Sequence, residues 1–353
     1  MRLALPRRED ACLKTAARLG CLLLCLLAAC SGAASPSKQT SQTTSLTSPI
    51  PAMPTPSRQA TAAVPTPATS TIPAATEMQA SPVPTASALP PDFWQELPVI
   101  PGQISERVRL IYQNGLAMGN NPHVFSRIGD CASAAPAFMV GFDGHYNLGE
   151  YTALQTAIDY FQGSFGRPSL AAKAGMNSAG LLTTLWTGKQ CLKDESLLDC
   201  QYRLDRPSFA FIAIGTNEGY YVHENPGSFE KNMRVILDDT IAKGIVPILG
   251  TKADNVEGDQ SINATIARLA LEYQIPLWNF WLAVQPLPKH GMVEPEHLNS
   301  VSYLNFTDFS IPNSLRYGMQ VRNLTALQML DFLREQLAGI APVGGAPTPT
   351  ATP

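Results

Sequence analysis

Charge is what this chain has least of. Asp, Glu, Lys and Arg make up 15% of its 353 residues, and 25 cations against 28 anions leave a net charge of −3. So even a balance offers no basic footprint for nucleic acid. Long apolar runs are missing too, since the stretch LGCLLLCLLAAC at residues 19–30 is too short to span a bilayer comfortably. No CxxC pair occurs, and only Cys131, Cys191 and Cys200 of the seven cysteines lie beyond residue 30. The low charge has a local source: between residues 31 and 91, made mostly of Ser, Thr, Pro and Ala, only Lys38, Arg58 and Glu77 are charged.

What is present begins with Arg2, Arg7, Arg8, Lys14 and Arg18 ahead of the apolar run, the layout of an export signal. Leu27-Ala28-Ala29-Cys30 resembles a bacterial lipobox. That resemblance implies a signal peptide at residues 1–29, a diacylglycerol on Cys30, and attachment to the outer face of a bacterial cell membrane. An ordinary secretory signal or an uncleaved anchor are the competing readings. Residues 30–91 cannot bury enough apolar surface to offset their ordering entropy and read as an extended, disordered tether suited to O-glycosylation. Residues 342–353, PVGGAPTPTATP, repeat that composition as a tail. One folded domain is expected at 92–341. Asn-x-Ser/Thr occurs at Asn263, Asn305 and Asn323, but a bacterial lipobox argues against N-glycosylation.

Cys191 and Cys200 bracket CLKDESLLDC and, outside the cytoplasm, are expected to form a disulfide worth about 2–3 kcal/mol. A metal site competes with that reading, although no histidine pair stands nearby. Cys131 is left as an odd thiol in an exported protein.

Within 92–341 strand and helix signals alternate. HVFSRIGD (123–130), SLAAKAG (169–175), SFAFIAIGTN (208–217), IVPILGTKA (245–253) and IPLWNFW (275–281) read as strands, the third as a run covered on both faces of a parallel sheet. LGEYTALQTAIDYFQ (148–162), FEKNMRVILDDTIAKG (229–244), INATIARLALEYQ (262–274) and NLTALQMLDFLREQLA (323–338) read as helices. The alternation predicts a doubly wound parallel sheet in a three-layer α/β/α sandwich, with its site beyond the carboxyl ends of the strands. Trp278, Phe280 and Trp281 read as core, and His123, His145, His223 and His290 as structural or surface residues.

Four short elements stand at strand ends or in a late loop. They are Gly129-Asp130-Cys131, Gly175, Gly215-Thr216-Asn217-Glu218 and Glu294-Pro295-Glu296-His297. In order and spacing they resemble the SGNH (GDSL-like) hydrolase family over roughly residues 124–337. The resemblance implies a flavodoxin-like fold and acyl-ester hydrolysis without a cofactor. It makes Cys131 the nucleophile where the family has serine, His297 the base and Glu294 the acid that orients it. The Cys131 and Gly175 amides and the Asn217 side chain become oxyanion donors, each typically worth about 2.7–4 kcal/mol in the transition state. The chain departs from the family in having cysteine for serine, Glu294 for aspartate and Pro295 after it.

Other readings stay open for each residue. Cys131 also reads as a small buried residue at a strand end, Asn217 as a loop cap and His297 as a loop histidine. Glu218, Glu294 and Glu296 have only His297 beside them, so no metal is expected. The implied substrates are acyl esters or thioesters, among them O-acetyl groups on a polysaccharide, with no protein partner indicated. The alternative function is a catalytically silent surface protein that keeps the cleft to bind a glycan or envelope component.

Overall fold

The computed structural model describes residues 90–302 and 304–343. The expected signal peptide, Cys30, nearly all of the tether and most of the tail lie outside the described residues. Among those described, no helix is long and apolar enough to cross a membrane.

Four strands, β1 (Asn121–Gly129), β2 (Pro207–Ala213), β3 (Val246–Gly250) and β4 (Leu277–Trp278), form one sheet in that order. All three neighbouring pairs are parallel, with Phe125 opposite Phe209 and Phe209 opposite Val246. Every residue of β2 and β3 is buried, which accounts for their unbroken apolar sequences. The expected strand at 169–175 narrows to a single parallel bridge, Gly129 to Ala172, on the free side of β1. Side chains take over its remaining bonds. Ser169 Oγ donates to the Arg127 carbonyl (2.6 Å), and Gln201 Oε1 accepts from Leu170 N (2.6 Å). Leaving β1, the chain therefore crosses first to one side of it and then returns to the other. The carboxyl end of β1 is where the strand order reverses, the place where open α/β sheets hold ligands.

The helices are α1 (Glu106–Ala117), α2 (Gln155–Tyr160), α3 (Ser178–Leu181), α4 (Leu197–Asp205), α5 (Ser228–Ala242), α6 (Ser261–Glu272), α7 (Phe280–Val284) and α8 (Gly318–Gln336). Ser105 and Ser196 cap α1 and α4, accepting from Val108 N (3.1 Å) and Asp199 N (3.0 Å). α2 and α7 pack on α8, while α4 and α5 both pack on α3 and α6 packs on α5. Two helical groups about one parallel sheet are consistent with the three-layer sandwich. Two bounds depart from expectation. β4 stops after two residues because the Asn279 side chain caps α7, accepting from Leu282 N (3.4 Å), so FW continues as helix. α8 starts five residues earlier than the apolar pattern indicated, at Gly318.

Cys191 and Cys200 form a disulfide with Cα atoms 5.2 Å apart, and Cys200 lies within α4 rather than in a loop. Trp278 and Phe280 are core, whereas Trp281 is half-buried.

Candidate active site

The end of β1 is tightly built. A Cβ on Gly129 would meet the Ala213 carbonyl at 2.2 Å, so only glycine lets the two strand ends approach this closely. Asp130 then caps a single 3-10 turn, Cys131–Ser133, accepting from Ala132 N at 3.0 Å. Cys131 is a free thiol, neither fully buried nor fully exposed. Burial first, and the Asp130 carboxylate second, push its pKa up to about 11. The Ala132 N–H and the Arg322 guanidinium pull part of the way back. Asp130 is itself raised, chiefly by burial, with Arg322 opposing.

At the end of β2, Gly215 takes φ +141° and leads into Thr216, Asn217 and Glu218. Asn217 Nδ2 donates to the Met176 carbonyl (2.8 Å). Glu218, 1% exposed, accepts from Ser178 N through Oε1, while its Oε2 is buried without a partner. Burial raises its pKa. These two neighbours hold the 175–178 loop against the sheet, with Gly175 at φ +76° inside it. The Asn217 side chain, expected to face the oxyanion, thus spends one N–H on that loop and keeps its second.

The late loop is a small hairpin. Met292 and Leu298 form an antiparallel bridge, and Asn299 N donates to the Gly291 carbonyl at 2.8 Å. Asn299 Oδ1 accepts from Gly318 N (2.7 Å), which seats the hairpin on the start of α8. At its tip His297 Nδ1 lies 3.5 Å from Glu294 Oε1, both side chains exposed. The expected acid and base are therefore adjacent. No hydrogen bond joins Cys131 to His297, and neither residue itself lines the cleft that their neighbours share.

What joins the segments is a cleft over the carboxyl ends of the strands. Asp130, Ala132, Thr216, Lys252, Asp254, Met292, Glu296, Leu298 and Arg322 all line it. Tyr220, largely exposed at its edge, feels Glu296, Asp254 and Cys131; desolvation first and then these charges raise its phenol. His123, His223 and His290 bond backbone carbonyls of Tyr160, Glu257 and Gln285 and do not line the cleft. Glu294, Glu296 and His297 each bring one ligand atom to within 4.8 Å of the others, a spacing that would also fit a metal ion.

Several cleft residues escaped the sequence reading. Lys252, 7% exposed, donates to Asp254 Oδ1 (2.7 Å) and Glu257 Oε2 (2.5 Å), and Thr216 Oγ1 donates to Asp254 Oδ2 (2.8 Å). Their signal was the charged segment TKADNVEGD directly after an apolar strand. Arg322 is 3% exposed and stands one residue ahead of the helix expected at 323–338, so no sequence pattern pointed to it.

Compared with protein-family models, curated proteins and solved structures, the chain matches none.

Proposed function

We propose that this protein is an extracytoplasmic, membrane-anchored SGNH-like hydrolase that cleaves an acyl ester or thioester through Cys131, His297 and Glu294. The observation that carries the reading is a shared cleft: the residues flanking Cys131 and those flanking His297 line it together, at the point where the strand order reverses. The parallel bridge at Ala172 also supports a flavodoxin-like order, with the 172 segment standing second in sequence and outermost in space. Attachment through lipid chains on Cys30 belongs to the same reading, because two chains hold a protein at a membrane where one holds it only marginally.

The chemistry runs in two halves. His297 takes the thiol proton as Sγ bonds to the acyl carbon, and Glu294 fixes the imidazole. The amides of Cys131 and Gly175 and the free N–H of Asn217 receive the oxyanion. The bond to the leaving oxygen then breaks, and that oxygen takes the proton from His297. Water next attacks the acyl-thioester, passes its proton to His297 and from there to the departing sulfur, and releases the acid. A thiol with a pKa near 11 is neutral at pH 7, so attack depends on removal of its proton by a base rather than on a standing thiolate.

That same raised thiol favours a second reading, in which the cleft binds a glycan or envelope component without turning it over. Hydrolysis of a short-chain aryl ester by the native protein, Cys131→Ser and Cys131→Ala separates the two. The hydrolase reading expects turnover that Cys131→Ala abolishes. Silence from all three folded proteins supports binding alone, and turnover that survives in Cys131→Ala rules out Cys131 as the nucleophile.

A further inference from the structure

Arg322 is the one cation enclosed by aromatic rings in the described structure. Its guanidinium carbon lies 4.8 Å from the ring centres of Phe138 and Trp278 and 4.9 Å from that of Phe280. Burying a guanidinium this deeply is costly unless rings, hydrogen bonds and an opposite charge compensate it. Here they do so asymmetrically. Nε donates to the Ala132 carbonyl (3.1 Å) and Nη2 to Ser133 Oγ (3.0 Å), and the opposing charge is Asp130. Every polar partner of this side chain thus belongs to the turn that carries Cys131. The next residue continues the clamp: Asn323 Nδ2 donates to the Ala137 carbonyl (2.9 Å), and its Oδ1 accepts from Met139 N. A helix that needed only to cover the sheet would be served better by an aliphatic residue at 322, which carries no desolvation penalty.

We propose that Arg322 is a positioning residue for Cys131: from its aromatic cage it fixes the turn at the end of β1 and holds a positive charge near the thiol, opposing the negative charge of Asp130. The role rests on the reading of Cys131 as nucleophile, because a merely structural cysteine needs no such support. The guanidinium remains a cation at neutral pH, since burial lowers its pKa only to about 10. The charged and titratable groups that act on the thiol are Asp130 on its own segment and Arg322 from α8, with Tyr220 beyond β2 also close enough to feel it. Of these, Arg322 is the charge caged and hydrogen-bonded to the turn itself, so its removal should be felt at Sγ more than that of any surface group.

The test follows alkylation of Cys131 by iodoacetamide in the full chain, read at the peptide containing Cys131 by mass spectrometry, from about pH 7 to about pH 11. Arg322→Met is expected to slow alkylation on the order of tenfold at about pH 9, the effect of one pKa unit. Arg322→Lys should restore most of that rate, and Asp130→Asn, which keeps an oxygen for the Ala132 N–H, should raise it above native. A folded Arg322→Met protein that alkylates as fast as native or faster overturns the proposal, as does Arg322→Lys behaving like Arg322→Met. Should Arg322→Met fail to fold by circular dichroism, Asp130→Asn decides: a rate no faster than native overturns the proposal. None of these readouts uses hydrolysis. An inactive native protein with these shifts intact would remove the hydrolase reading alone. An unshifted profile in a protein whose hydrolysis requires Cys131 would remove only the role given to Arg322.

Discussion

At the scale of single residues, charges buried under the cleft carry the largest consequences. Lys252 is enclosed with Asp254 and Glu257, and Glu257 Oε1 already lacks a partner. Breaking a buried ion pair by removing one member typically costs about 3–5 kcal/mol, because the other charge stays buried and uncompensated. Lys252→Met should therefore lower the stability read by chemical denaturation by about that much, and adding Glu257→Gln should recover part of it. A loss below about 1 kcal/mol would show that water reaches this cluster. Cys131, Asn217, Glu294 and His297 could be picked out in the sequence because each sits in a short motif beside a strand end or in a turn. Arg322 could not. It stands one residue ahead of the helix expected at 323–338, and only the convergence of Phe138 with Trp278 and Phe280, from two other segments, makes it a buried cation.

At the scale of elements, apolar pattern was a good guide wherever the backbone satisfied its own hydrogen bonds. β2, β3, α5 and α6 fall where periodicity and unbroken apolar runs put them. The segments at 169–175 and 275–281 were less legible, because side chains of Gln201 and Asn279, set by tertiary packing, supply the bonds that end the strands. The seat of the late hairpin is another contact that no local pattern announces. A Cβ on Gly318 would stand 2.3 Å from the Gly291 carbonyl, and Gly291 itself needs φ +70°. Gly318→Ala should push the hairpin, and His297 with it, away from α8. The expected outcome is a stability loss of about 1–3 kcal/mol together with a fall in ester hydrolysis larger than the unfolded fraction explains. Full hydrolysis with a normal melting temperature would mean that the hairpin adjusts freely.

At the scale of the whole molecule, carboxyl groups divide into two sets with opposite effects on stability. Burial raises Asp130, Asp205 and Glu218 above their ordinary values of 3.8 and 4.5. The folded state then binds more protons than the unfolded chain, so their contribution declines as pH rises from about 4 through the raised values. Arg268 and Arg234, spanning α5 and α6, hold Glu230 and Glu272 below 4.5, and that contribution disappears as pH falls through the lowered values. Thermal unfolding should accordingly show its maximum near pH 5, falling gently toward pH 8 and more steeply below pH 4. A melting temperature that climbs steadily from pH 5 to pH 8 would contradict the assignment of raised carboxyls.

The same molecule-wide view frames the functional claim, since a sheet reversal, a turn clamped by α8 and a hairpin seated on α8 meet at one cleft. The most direct measurement is the mass of the Cys131 peptide during brief exposure of the protein to an aryl acetate. An acetyl group that appears on Cys131, turns over in the native protein and accumulates in His297→Ala once formed is the result predicted for a cysteine hydrolase. A native protein that is folded, with Cys131 reduced, and that never carries the acetyl group while hydrolysing or ignoring the ester would contradict it.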